Sequence, residues 1–119
     1  MQKILVVDDE FEIRELLSEA LTFKSFEVLT AEDGLQGLKV FDEFKPDLAI
    51  VDVRMPNMDG VGFSKRILAA YPEFPIIIIS GFLKQYNIEE IRSLGVKEIM
   101  TKPLDIEFLY KTIKNLLSL

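Results

Sequence analysis

The chain has 119 residues, of which 49% are hydrophobic, and this is sufficient for one domain with a substantial hydrophobic core. Its net charge is −6 and it has no basic cluster, which argues against nucleic acid or an acidic membrane surface as a direct partner. Because cysteine and histidine are both absent, disulfides, thiolate metal sites and imidazole ligands are excluded, and any metal ion must be bound by oxygen.

Five short apolar segments alternate along the chain with five segments of helical periodicity. The predicted strands are residues 3–7, 27–30, 47–51, 75–79 and 98–101, and the predicted helices are residues 10–24, 34–44, 61–71, 85–94 and 106–117. This alternation predicts βαβ units with right-handed crossovers and a parallel sheet. We expect the isoleucine run 76–79 in the interior of the sheet and the more polar fifth strand at an edge.

Two of the predicted helices have the i, i+3, i+4, i+7 spacing of helices that face a core. The apolar positions are Ile13, Leu16, Leu17, Ala20 and Leu21 in the first helix and Phe108, Leu109, Ile113 and Leu116 in the last. No segment has the composition of a linker, a repeat, a signal peptide or a membrane span. We therefore expect a single domain over residues 1–119 in a cytoplasmic protein.

Five polar residues lie at the ends of the predicted strands: Asp8, Asp9, Asp52, Ser80 and Lys102. Taken singly, each has an ordinary explanation, such as a helix cap, a turn residue or a solvated surface lysine. Ligands of open parallel sheets bind at the carboxyl ends of the strands, where all five residues would meet. Their joint occurrence after nearly pure apolar strands therefore indicates a functional site.

Three clustered carboxylates repel one another, and a divalent cation with oxygen ligands would relieve that repulsion. With Mg²⁺ bound, Asp52 becomes a candidate nucleophile towards a phosphoryl group. Lys102 would add a positive charge and Ser80 a hydroxyl donor for the transferring oxygens. The pattern therefore indicates phosphoryl chemistry at an acidic metal site.

The order and spacing of these motifs over essentially the whole chain resemble the response regulator receiver domains of bacterial two-component signalling. The motifs are the run 4–10, residues 46–48 leading to Asp52, Met55-Pro56, Met58-Asp59-Gly60, Ser80-Gly81 and Thr101-Lys102-Pro103. The resemblance implies a flavodoxin-like α/β fold, with five helices around a doubly wound, five-stranded parallel sheet of order 2-1-3-4-5.

The resemblance also implies a role for each acidic residue. Asp52 matches the phosphoacceptor, Asp9 the direct acidic ligand of Mg²⁺, and Asp8 the acid that reaches the ion through water. The backbone carbonyl of Arg54 matches the main-chain ligand. The implied cofactor is Mg²⁺, with Mn²⁺ as a substitute, and the implied metal ligands are Asp8, Asp9, Asp52 and Arg54.

The remaining positions and the partners follow from the same resemblance. Lys102 matches the lysine that pairs with the acceptor or its phosphoryl group, and Ser80 matches the hydroxyl residue that turns inward on phosphorylation. The Lys102–Pro103 bond matches a cis peptide. The implied donor is a sensor histidine kinase or a phosphotransferase. The implied recipient of the signal is an effector protein or domain, and phosphorylation-dependent dimerisation is a further alternative.

Three positions depart from the family pattern or vary within it. Ile99 occupies the position of an aromatic residue that usually moves with the hydroxyl residue, so switching here would pass through the loop after Ser80 or through Tyr86. The alternative is that Ile99 simply packs and that switching is weak. Arg54 and Phe82 occupy variable positions that influence phosphoryl lifetime. Our hypothesis is that Arg54 folds over the phosphoryl group and that Phe82 restricts the attacking water.

Three rival functions share parts of this pattern. Phosphatases with an aspartate nucleophile require a second aspartate two residues later, where this chain has Arg54. A flavin-binding domain would need a phosphate loop in place of the acidic segment 8–10, and a pseudo-receiver would lack site residues that are all present here. For the kinase, the first-helix surface near Phe11 and Ile13 is a candidate dock, with core packing and chance exposure as the equally weighted alternative.

Overall fold

The predicted alternation of strands and helices is present in the computed structural model, which describes residues 1–81 and 86–119. The strands are β1 (Lys3–Val7), β2 (Glu27–Ala31), β3 (Leu48–Asp52), β4 (Ile76–Ser80) and β5 (Glu98–Thr101). The helices are α1 (Phe11–Phe23), α2 (Gly34–Phe44), α3 (Gly60–Ala70), α4 (Ile88–Ser93) and α5 (Ile106–Leu117). None of the helices in these described ranges is long and apolar enough to cross a membrane.

All five strands form one parallel sheet in the order β2-β1-β3-β4-β5. This order confirms the doubly wound α/β fold and the edge position of β5. It also places β1 and β3 side by side at the point where the connections change direction, which is where ligands of such sheets bind. The predicted location of the acidic residues, after β1 and at the end of β3, therefore coincides with this crevice.

The three central strands are buried on both faces, and their side chains alternate between two hydrophobic clusters. Along β4, Ile76 and Ile78 belong to the cluster that includes Phe63 of α3, while Ile77 and Ile79 belong to the other. That second cluster is completed by buried residues of α1 and α5, namely Leu17, Leu21, Leu109 and Ile113. Each buried aliphatic side chain contributes about 1.5–3 kcal/mol, so packing on both faces fixes the strand ends firmly.

The apolar stripes predicted for α1 and α5 are confirmed at their centres and wrong at their margins. Leu17 and Leu21 are fully buried, whereas Leu16 is 47% exposed. In α5, Leu109 is fully buried and Phe108 is 51% exposed. Since successive helical residues are rotated by about 100°, a residue next to the buried stripe faces the solvent when the helix lies on a flat sheet.

Helix α4 begins later than predicted. Asn87 is its N-cap residue, and the Asn87 side-chain oxygen accepts a hydrogen bond of 3.2 Å from the backbone N–H of Glu90. Tyr86 therefore precedes the helix, although the prediction included it, while the predicted start at residue 85 lies outside the described residues. A helix that begins at an asparagine cap has no proline or glycine to mark its start, so this boundary is hard to see in the sequence.

Candidate functional site

Asp8 and Asp52 lie next to each other in the crevice at the carboxyl end of the sheet. Asp52 is the last residue of β3 and Asp8 directly follows β1, whose Val7 is in register with Val51. Asp8 is fully buried and Asp52 is 4% exposed. The two parallel strands thus bring two buried carboxyl groups together.

Asp8 is held by three hydrogen bonds that involve its backbone and one side-chain oxygen. Its N–H donates to the Ala31 carbonyl at 3.1 Å, its own carbonyl accepts from Arg14 Nη1 at 2.8 Å, and its Oδ1 accepts from the Glu10 N–H at 2.9 Å. Its Oδ2 is buried and makes no hydrogen bond of acceptable geometry. Oδ1 is therefore held by a backbone donor, while Oδ2 is buried in the site beside the Lys102 ammonium.

Lys102 approaches three carboxylates with one ammonium group. Its Nζ lies 2.6 Å from Glu10 Oε1, 3.1 Å from Asp8 Oδ2 and 3.6 Å from Asp52 Oδ1. The contact with Asp8 Oδ2 is an ion pair, although its angle does not meet hydrogen-bond criteria. The Lys102–Pro103 bond is cis, as the resemblance implied, and the Lys102 N–H donates to the Ser80 carbonyl at 2.9 Å.

Burial and mutual repulsion govern the ionisation of this cluster. Burial, reinforced by the negative charge of Asp8, raises the pKa of Asp52 to about 7, although Lys102 opposes this shift. Burial likewise raises the pKa of Asp8. Burial alone would lower the pKa of Lys102, but its hydrogen bond with Glu10 and the charges of Asp8 and Asp52 outweigh that effect and raise it. The site thus holds more negative charge than one lysine neutralises.

An open cavity of about 330 Å³ lies over these groups. It is lined by Asp9, Glu10, Asp52, Arg54, Gly81 and Lys102. A second cavity, of about 350 Å³, shares Asp9 and Arg54 with the first and is also lined by Met55, Asp59 and Tyr86. Within the described ranges, Asp8, Glu10 and Asp52 each offer one carboxylate oxygen, and these atoms lie within 4.8 Å of one another.

The structure brings the predicted site residues to the carboxyl end of the sheet. The Lys102 ammonium lies 3.1 Å from Asp8 Oδ2 and 3.6 Å from Asp52 Oδ1. Asp9 and Arg54 line the first cavity together with Asp52 and Lys102. Asp9 is itself exposed at the rim of this cavity. Four of these residues line the cavity, and Asp8 is buried beneath it beside Lys102.

Two other predicted positions adjoin the site and a third lies outside the described residues. Ser80 is the last residue of β4; it is buried and in register with Thr101 of β5. Ile99 packs against the hydrophobic cluster on the α2–α4 side of the sheet, which agrees with the alternative that it serves packing. The proposed role of Phe82 cannot be placed, because residues 82–85 are not among those described.

Glu10 is the site residue that the sequence did not indicate. It belongs to the acidic segment after β1, but nothing in that segment shows that its side chain turns towards Lys102, 92 positions later in the chain. The only sequence signal is a glutamate at a position where a helix N-cap usually has a shorter polar residue.

Comparisons with known proteins agree with this geometry. The model of the response regulator receiver domain family matches residues 4–114. Sporulation initiation phosphotransferase F from Bacillus subtilis is 33% identical over 118 residues, which cover 99% of this chain and 95% of the relative. Regulatory protein AtoC from Escherichia coli is 30% identical over 119 residues, which cover 100% of this chain and 26% of the relative.

A solved structure has the same fold. Response regulator protein TrrA from Thermotoga maritima, in complex with Mg(2+)-BeF, superposes with a TM-score of 0.88 at 34% sequence identity, covering 98% of this chain and 99% of that one. The matched residues 4–114 include the acidic crevice and the loop after β5 that carries Lys102. The chain therefore belongs to the response regulator receiver domain family of two-component signalling.

Proposed function

We propose that Asp52 is the phosphoacceptor of this receiver domain and that a protein phosphohistidine is its physiological donor. The observation that carries the proposal is a buried carboxyl group at the end of a central strand, facing an open cavity with an ammonium group 3.6 Å away. Because residues 1–119 contain no histidine, the phosphohistidine must lie outside them. We assign the sensor histidine kinase or phosphotransferase to this role.

The donor atoms of the site fit Mg²⁺. Asp8 Oδ2 is buried beside the Lys102 ammonium. One carboxylate oxygen each of Asp8, Glu10 and Asp52 lies within 4.8 Å of the others, and Asp9 lines the cavity above them. A site made only of oxygen donors with excess negative charge favours a hard divalent cation. We propose Asp8, Asp9, Asp52 and the carbonyl of Arg54 as the groups that hold Mg²⁺, or Mn²⁺ in its place.

The transfer step requires little covalent chemistry from the protein. An oxygen of the Asp52 carboxylate forms a bond to phosphorus while the bond from phosphorus to the donor nitrogen breaks, and the nitrogen keeps the electron pair. When bound, the divalent ion supplies positive charge for the phosphoryl oxygens. Lys102 supplies a second positive charge beside Asp52, and Ser80, at the end of the neighbouring strand β4, would donate a hydrogen bond.

Chemical phosphorylation tests this proposal directly. The wild-type protein, incubated with acetyl phosphate and Mg²⁺, is expected to gain one phosphoryl group by mass spectrometry, and omission of Mg²⁺ should suppress the gain. Asp52→Asn should remove the labelling, because an amide cannot form the acyl phosphate. Asp42→Asn, at an exposed position of α2, is the control and should be labelled as the wild type is. Persistent labelling of Asp52→Asn would refute the assignment.

Metal binding provides a second, separate prediction. Asp9→Asn is expected to weaken Mg²⁺ binding on the order of tenfold, because the affinity of such sites depends on the number of charged ligands. Isothermal titration calorimetry of the unphosphorylated protein measures this effect. Glu12→Gln, an exposed change of the same charge near the start of α1, serves as the control. Equal Mg²⁺ affinity in Asp9→Asn and wild type would remove Asp9 from the ligand set.

We further propose that residues 1–119 act as one phosphoacceptor unit without turnover of an external substrate. The position two residues after Asp52 is Arg54, which cannot serve as the general acid of an aspartate-dependent phosphatase. A candidate dock for the phosphodonor is the surface of α1 near Phe11, which is 60% exposed, whereas Ile13, predicted for the same surface, is half-buried and packs against the core. The output would be a change in contacts with an effector protein, an effector domain or a second copy of the chain.

A further inference from the structure

Glu10 occupies the N-cap position of α1 but does not cap the helix. Its backbone is extended, with φ −88° and ψ 118°, and its side chain makes no capping hydrogen bond. Serine, threonine, aspartate and asparagine are the residues favoured at this position, because their short side chains reach the free N–H groups of the first turn. The Glu10 side chain instead reaches Lys102, with Oε1 2.6 Å from Nζ.

The Lys102 ammonium has three N–H donors and three neighbouring carboxylates. Two of these carboxylates, Asp8 and Asp52, belong to the proposed metal site. Glu10 makes the shortest of the three contacts and lies outside the metal ligands assigned above. A phosphoryl oxygen on Asp52 therefore has to compete chiefly with Glu10 for the ammonium group.

We propose that Glu10 holds Lys102 in the unphosphorylated protein and competes with the phosphoryl group on Asp52 for its ammonium. This inference rests on the proposed function of Asp52 and describes how the same site is regulated. Glu10 is thus a positioning residue that acts through Lys102. The glutamate is 54% exposed at its side chain, so water can solvate it once Lys102 turns to the phosphoryl oxygen.

The exchange joins two parts of the fold that are distant in sequence. Glu10 is fixed to the start of α1, since its N–H donates to Asp8 Oδ1 and its carbonyl accepts from the Arg14 N–H. Lys102 is fixed at the end of β5 by its hydrogen bond to the Ser80 carbonyl. Release of the Glu10–Lys102 pair therefore removes a link between α1 and the loop that precedes α5.

Beryllium fluoride, which mimics a phosphoryl group on a carboxylate, provides the test. At saturating Mg²⁺, Glu10→Gln is expected to bind beryllium fluoride about threefold more tightly than wild type, the size of effect typical of a partly exposed ion pair. ¹⁹F NMR or calorimetry measures the affinity. Glu10→Asp keeps the charge but shortens the side chain, so it should give an increase of similar size. Glu12→Gln, the matched change of charge, should give none.

A coupling measurement separates competition for Lys102 from other effects. In a Lys102→Met background, Glu10→Gln should leave beryllium fluoride affinity unchanged, because no ammonium remains to be released. In the protein without metal, thermal unfolding of both single variants and the double variant should show a favourable coupling between Glu10 and Lys102. Additive effects in both measurements would overturn the inference.

Failure of this inference is distinguishable from failure of the proposed function. If the wild type binds no beryllium fluoride and gains no phosphoryl group, both proposals are wrong. If the wild type does both and Glu10→Gln binds beryllium fluoride as the wild type does, only the role of Glu10 is wrong. A tenfold loss of Mg²⁺ affinity in Glu10→Gln would also overturn it, because Glu10 would then be a metal ligand.

Discussion

Replacing Gly60 with alanine is expected to lower the free energy of unfolding by about 3 kcal/mol, the upper range for forced overpacking. Gly60 is the first residue of α3, and its N–H donates to the Val53 carbonyl at 2.8 Å. A Cβ at this position would collide with the carbonyl oxygen of Asp52 and lie 2.9 Å from its carbonyl carbon. Both are backbone atoms of Asp52, so they cannot move aside as a flexible side chain would.

Gly62→Ala in the same helix is the matched control. There a Cβ would meet Met58 Cγ at 3.3 Å and Asp59 Oδ1 at 3.4 Å, and both are side-chain atoms that can shift. Alanine is favoured over glycine in helices by up to about 1 kcal/mol, so this variant is expected to be neutral or more stable. Urea denaturation of both variants measures the difference. A similar loss of stability in the two would show that the space at Gly60 is not limiting.

Replacing Asp52 with asparagine is expected to stabilise the metal-free protein at about pH 8 by on the order of 2–4 kcal/mol, at about 1.4 kcal/mol per pKa unit. The pKa of Asp52 is raised from its usual 3.8 to about 7 by burial and by Asp8. Between these two values the folded protein binds more protons than the unfolded chain, so stability falls as pH rises through this window. Asparagine does not ionise and avoids that loss.

Denaturation series with and without EDTA check this dependence on pH. The stability difference between Asp52→Asn and wild type should be largest above pH 7 in EDTA and should disappear towards pH 4, where the wild-type carboxyl group is protonated. Saturating Mg²⁺ should reduce the difference, because the ion binds the wild-type carboxylates and stabilises the folded state. Asp42→Asn controls for the loss of a surface charge. A difference that does not change with pH would contradict the assigned cause.

The strands were predictable because their signal is local, whereas their order in the sheet was implied by the family resemblance. The isoleucine run in β4 and the apolar residues of β1 are buried on both faces, so no alternation had to be resolved. The helices were less predictable at their margins. Leu16 and Leu17 are the same residue type, but their different positions around the axis of α1 leave Leu16 facing the solvent and Leu17 buried.

The site was predictable to the extent that strand ends determine it. Parallel strands place Asp8 and Asp52 together whatever their side chains do, and the loop after β5 delivers Lys102 to the same edge. Glu10 could not be assigned in this way, because its contact depends on the direction of a long side chain. Tyr86 and Arg54 both line the second cavity. The position of Tyr86 depends on the start of α4, which begins only after Asn87.

The position of Lys102 directly after an edge strand has a mechanical consequence. Its ammonium group reaches Asp8 beside β1, although β3 and β4 lie between β1 and β5, so that these two strands are three spacings, or roughly 14 Å, apart. Strand β1 has a partner on each side, whereas β5 has a partner only on one. When the ammonium changes its anionic partner, the resulting displacement is therefore resisted more at β1 than at β5. Exchange of anionic partners at the centre of the sheet would therefore act on strand β5, at an edge of the sheet.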